Sequence, residues 1–185
     1  MLTTACGLGA LAAGWLLPDE PNARPADAGR TAAVSPPTRL RGPHGLEAAV
    51  VPVAAHRDGS LALPDDPRTG GWWALGAAAG AADGTLLIAG HVDTREDGLG
   101  PFAALHRTPP GARVEVTGAD GRVRAYRVTA RRTYRQERLP ADLFAGAGGH
   151  RLALVTCARP YDRETGRYRR NLVVYATPVA PAPAG

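Results

Sequence analysis

From residue 41 to residue 179 the chain alternates short apolar runs with breaks rich in glycine, proline and aspartate. The runs are built of Val, Leu, Ile, Thr and Tyr. Short β-branched and aromatic runs bounded by turn residues are the pattern of strands. Strands are predicted at residues 48–54, 86–91, 113–116, 123–131, 151–157 and 171–177. Asp120-Gly121 separates two alternating runs, a strong hairpin signal because glycine supplies the positive φ of a tight turn. Helical stretches are few and short: 102–105, ahead of a Pro-Pro-Gly turn, and 141–144. No long unit repeats. Many strands with little helix predict a mainly β fold, a closed barrel or a sandwich.

The flanks lack this pattern. Residues 2–17 form an uncharged apolar run ending at Pro18, Asp19 and Glu20. As a helix it would span roughly 24 Å, slightly short of the roughly 20 residues that a bilayer asks for. No positive residues precede it, as they would in a signal peptide. It is read as a membrane anchor (residues 1–17) whose basic leader lies upstream of the assigned start. A cleaved signal peptide and a buried helix are the alternatives. Cys6 has too little apolar sequence before it for a lipoprotein cleavage site, so lipidation is set aside. Residues 18–40 have the Pro/Ala/Asp/Arg composition of a semi-rigid linker, and residues 180–185 that of a disordered tail. One domain, residues 41–179, remains for the core.

Composition narrows the classes further. With 44% hydrophobic residues the chain is not wholly disordered. Its 23 glycines and 17 prolines follow no three-residue period, which excludes collagen. All 22 cationic residues are arginine, which alongside abundant alanine reads as the coding bias of a GC-rich genome. The net charge of +5 permits an anionic partner. The arginines are dispersed without an aromatic stacking pattern, which argues against nucleic acid.

Three elements could carry chemistry. Cys157 closes the apolar strand Leu152-Ala153-Leu154-Val155-Thr156 and would be the only thiol of an exported domain. An unpaired cysteine in such a setting is either a reactive thiol or a small buried hydrophobe. His91 follows Leu86-Leu87-Ile88-Ala89-Gly90, at a sheet rim where an imidazole can exchange protons, or serve only structure. His44, His56, His106 and His150 carry less information. The cluster Arg167-Tyr168-Arg169-Arg170-Asn171 leads into the last strand. It is a solvated strand start or a source of a guanidinium for a developing oxyanion. A nucleophile, a proton carrier and a cation together are what thiol acyl transfer needs. His91, Asp93 and Cys157 are acceptable zinc ligands by type, but no paired Cys or His spacing supports a metal site.

The blocks Gly90-His91-Val92-Asp93, Leu154-Val155-Thr156-Cys157 and Tyr168-Arg169-Arg170-Asn171-Leu172-Val173-Val174-Tyr175-Ala176 resemble the signature blocks of sortases, most closely the actinobacterial class F group. The resemblance spans roughly residues 42–177, through Asp58-Gly59-Ser60-Leu61, Gly71-Trp72-Trp73, Gly100-Pro101-Phe102 and Leu139-Pro140. It implies a closed eight-stranded β-barrel with a few short helices. It also implies a membrane-anchored cysteine transpeptidase of Gram-positive bacteria, with its catalytic domain extracellular. Such an enzyme cleaves a Leu-Pro-x-Thr-Gly-like sorting signal on surface proteins and passes the acyl group to a cell-wall amine, without metal or cofactor.

By position, the resemblance implies Cys157 as nucleophile, His91 as general acid and base, and Arg169 as the arginine that binds substrate and stabilises the oxyanion. Thr156 would help to position substrate. Strand alternation gives Arg169 the face of Asn171 and Val173, and Arg170 the opposite face, so Arg170 remains the alternative. Two departures stand out. Residues 77–84 read AAAGAADG where the family carries a Pro-Gly turn, and the first strand lacks an Ile-Pro. Both bear on groove shape more than on catalysis. The other reading is a non-catalytic surface-binding module on the same barrel.

Overall fold

The computed structural model describes residues 33–56 and 60–180 of the 185-residue chain. The expected anchor, most of the linker and nearly all of the tail lie outside the described residues. Among those described, no helix is long and apolar enough to cross a membrane.

Eight strands close into a barrel. In chain order they are β1 (Pro37–Arg41), β2 (Glu47–Val53), β3 (Thr69–Trp73), β4 (Thr85–Ala89), β7 (Arg113–Gly118), β8 (Val123–Arg135), β9 (Arg151–Asp162) and β10 (Arg167–Pro178). Around the wall the order is β1-β2-β3-β4-β9-β10-β8-β7, and β7 pairs back onto β1. The β2–β3 and β4–β9 pairs are parallel; the other neighbours are antiparallel. A separate ribbon of β5 (Asp93–Thr94) and β6 (Gly98–Leu99) follows β4. The short helices are 3₁₀ turns, among them Pro101–His106 and Ala141–Phe144 at the two places predicted.

Every barrel strand gives residues to one large apolar cluster, which fills the interior. Leu40, Val50, Trp72, Leu86, Ile88, Val116, Val128, Leu154 and Val174 belong to it. Residues of opposite parity on the central strands form a second cluster on the outer face. Leu87, Ala89, Ala153, Val155 and Val173 lie there beneath Leu63, Trp73, Leu143 and Phe144. Covering on both faces explains why β4 and the core of β9 are continuous apolar runs rather than alternating ones. By contrast β7 buries Val114, Val116 and Gly118 between more exposed positions. The β7–β8 hairpin turns where Asp120-Gly121 predicted, with Gly121 at φ +73°.

The barrel starts earlier than the apolar pattern suggested. β1 begins at Pro37, inside the stretch read as linker, because β2 and β7 pair with its two edges. β3 contains Gly70 and Gly71, which propensity disfavours in a strand. A Cβ on Gly70 would meet the Phe102 ring at 2.8 Å, so the missing side chain makes room for that buried ring. At the other end of the chain, β9 and β10 run past their apolar cores into a hairpin ending at Asp162 and Arg167.

Candidate active site

The site is built at the ends of two parallel strands. Thr85 pairs with Arg151, and the same offset of register continues to Ala89 opposite Val155. One step further on, the Gly90 N–H donates to the Val155 carbonyl (3.0 Å) and the Thr156 Oγ1 donates to the Gly90 carbonyl (2.8 Å). β4 itself ends at Ala89, so His91 lies two residues beyond the ladder on one side, as Cys157 does on the other. Gly90 is required for the approach. A Cβ there would lie 2.3 Å from Cδ2 of the fully buried Phe102.

Thr156, expected to help position substrate, is buried with its hydroxyl proton committed to Gly90. Its side chain ties the two strand ends together. Cys157 is partly buried and free. Burial, and then the negative charge of Asp93, push its thiol above the ordinary cysteine range. Its backbone carbonyl accepts from Nε2 of His106 at 3.0 Å, so the His106 ring carries its proton on that nitrogen. Across the β9–β10 ladder the residue opposite Cys157 is Asn171.

Arg169 and Arg170 are separated by the ladder. Arg170 pairs with Ala158, a member of the interior cluster. Arg169 stands where the β9–β10 register shifts, between Tyr168 opposite Tyr161 and Arg170 opposite Ala158. Its guanidinium, however, is bound to Asp162, with Nη2 at 2.5 Å and Nε at 3.0 Å from Oδ2. The Arg169 hydrogen bond, with the Glu164 N–H behind it, holds the Asp162 carboxyl down at about 2. The structure thus ends the β4–β9 ladder two residues before both His91 and Cys157, sets Cys157 opposite Asn171, and holds Arg169 on Asp162.

Three contacts were not legible beforehand. The Tyr168 hydroxyl donates to Oδ2 of Asp93 at 2.7 Å, tying the chain after His91 to the β9–β10 hairpin. That bond to a carboxylate, followed by burial, raises the phenol to about 12. The facing of Asn171 and Cys157 and the His106 bond are the others. Asp93, Tyr168 and Asn171 stand inside the signature blocks, yet only the register shows which of them meet. Past the strand ends opens a cavity of about 820 Å³ lined by Asp93, Arg95, Arg159, Tyr161, Arg163 and Tyr168 among others. Neither His91 nor Cys157 lines it, but Asp93 and Tyr168 of its lining interact electrostatically with Cys157. Among the described residues no three His, Cys, Asp or Glu side chains are grouped to hold a metal ion.

A family model described as the sortase domain matches residues 44–179. This chain belongs to the sortase family. Solved sortases share the fold. Sortase C1 of Streptococcus agalactiae superposes with a TM-score of 0.60 at 16% identity, covering 80% of this chain and 69% of that one. Sortase A of Corynebacterium diphtheriae gives 0.58 at 17%, covering 83% and 65%. Sortase C-1 of Actinomyces oris gives 0.58 at 17%, covering 77% and 73%. No curated protein matches the sequence. The closed eight-stranded barrel with few short helices is the fold that the resemblance implied. Membership in the sortase family suggests a cysteine transpeptidase that acts on proteins bearing sorting signals and on amine acceptors.

Proposed function

We propose that this sortase is a membrane-anchored transpeptidase of the class F kind, held outside the cell by residues 1–17, that acts on a Leu-Pro-x-Thr-Gly-like signal. The Cys157 thiolate attacks the Thr–Gly carbonyl, and the C–N bond breaks as His91 protonates the leaving amine. A cell-wall amine then attacks the thioester. The new C–N bond forms, the C–S bond breaks, and His91 takes the amine's proton. Arg169 exchanges Asp162 for the carbonyl oxygen when peptide fills the groove, and stabilises the tetrahedral oxyanion. Arg170 is the alternative for that role. Thr156 serves by fixing the strand ends on which both reacting side chains stand. No metal or cofactor enters these steps.

The observation that supports this reading is the β4–β9 pairing in a sortase-family barrel, whose ladder ends two residues before both His91 and Cys157. The test is intact mass spectrometry of the protein incubated with a Leu-Pro-x-Thr-Gly peptide. A thioester on Cys157 is expected. Cys157→Ala should abolish cleavage, while His91→Ala and Arg169→Ala should each lower kcat/KM at least about 10²-fold. Full activity in Cys157→Ala would end the proposal. No thioester, together with alkylation of Cys157 that ignores His91→Ala, would favour the non-catalytic surface-binding module.

A further inference from the structure

The 820 Å³ cavity beside the site is lined by three exposed guanidinium groups, those of Arg95, Arg159 and Arg163. Six other arginines are in salt bridges: Arg39, Arg41, Arg113, Arg124, Arg151 and Arg169. These three have no ion-pair or hydrogen-bond partner among the described residues, although Glu96 and Glu164 are their neighbours in sequence. Two carboxylates here are already engaged. Asp93 accepts the Tyr168 hydroxyl and Asp162 holds Arg169. The cavity therefore has a surplus of positive charge with free donors. Its floor is aromatic, where Tyr161 and Tyr168 meet edge to face at 5.0 Å.

Position says which substrate group would lie there. The amine side of the bond being broken or made must meet His91, since that imidazole gives or takes the amine's proton. The chain immediately beyond His91, Asp93 to Arg95, is one wall of the cavity, and the hairpin beyond Cys157 is the other. We infer that this cavity is a carboxylate subsite for the amine-bearing partner, in which Arg95, Arg159 and Arg163 receive an acidic side chain one or two residues from the reacting amine. The inference rests on the transpeptidase reading for the direction of the chain. The guanidinium fork matches a carboxylate with paired N–H donors, and Tyr161 and Tyr168 pack against the methylenes of the acidic residue.

The probes are Gly-Gly-Glu-amide and Gly-Gly-Gln-amide, equal in size and different in one charge. Their affinities for the full chain are measured by calorimetric titration at low and at physiological salt. One exposed guanidinium–carboxylate contact is worth a factor of a few. Three arginines lining one cavity should make the Glu probe bind about tenfold tighter at low salt, with a smaller margin at physiological salt. The triple variant Arg95→Gln, Arg159→Gln, Arg163→Gln should bring the two probes within about twofold.

Equal affinity for the two probes in the unmodified protein would overturn the subsite, and that comparison needs no variant to fold. Tighter binding of inorganic pyrophosphate than of the Glu probe would also overturn it, by reassigning the pocket to phosphate. Binding does not use the thiol. A chain that prefers the Glu probe but forms no thioester with the sorting peptide keeps the subsite and loses the reaction. One that forms the thioester but binds both probes alike keeps the reaction and loses the subsite.

Discussion

Asp93 adds to the effect of burial at Cys157 without being one of the groups assigned to react. It raises the thiol through its charge and holds the Tyr168 hydroxyl at 2.7 Å. Asp93→Asn keeps an oxygen acceptor for Tyr168 and removes the charge, so the thiolate becomes easier to form. Alkylation of Cys157 by iodoacetamide at pH 7 should be severalfold faster in this variant. The midpoint of its pH profile should fall while staying above the ordinary cysteine range, because burial, the larger cause, is unchanged. An unaltered profile would remove Asp93 from the account. Arg169 shows the reverse relation: its place in the signature block could be read from the sequence, its ion pair with Asp162 could not. Asp162 ends β9, and its distance from Arg169 depends on where the hairpin folds back.

At the scale of elements, the decisive feature is the short passage from β4 to His91. Gly90 lies against the Phe102 ring, and Phe102 belongs to the turn Pro101–His106 that also carries His106 to the Cys157 carbonyl. Gly90→Ala forces the ring or the strand end to move. Overpacking of this kind costs roughly 1–3 kcal/mol, to be read as a lower midpoint in urea denaturation. Because the same shift moves His91, the next residue in the chain, peptide cleavage should fall as well. Stability and activity like those of the parent would show that the ring yields freely. Elements whose pairing is local were legible, as with β7, β8 and their Asp-Gly turn. β1 and β3 were not, since a five-residue strand from Pro37 and a Gly-Gly strand become strands through partners elsewhere in the chain.

For the whole molecule, the barrel interior is the common support of everything at its rim. Leu154 is fully buried there, three residues before Cys157. Leu154→Ala should cost roughly 2–5 kcal/mol. Each kcal/mol lowers Tm by about 2–4 °C in a domain of this size, as a calorimetric scan would read. A Tm within a degree of the parent would mean that the wall collapses to fill the space.

What the sequence determined by itself is whatever depends on neighbours along the chain. That covers the mainly β character, the turn at Gly121, the apolar strands that end near His91 and Cys157, and the identity of the residues in the signature blocks. Tertiary structure alone decided which strand ends stand beside each other, which face the last strand turns to the thiol, and which arginines are left without a partner. The reason is that a side chain's role at this site depends on strand pairings between residues far apart in sequence. Those pairings are chosen by closure of the barrel around its core, a property of all eight strands together.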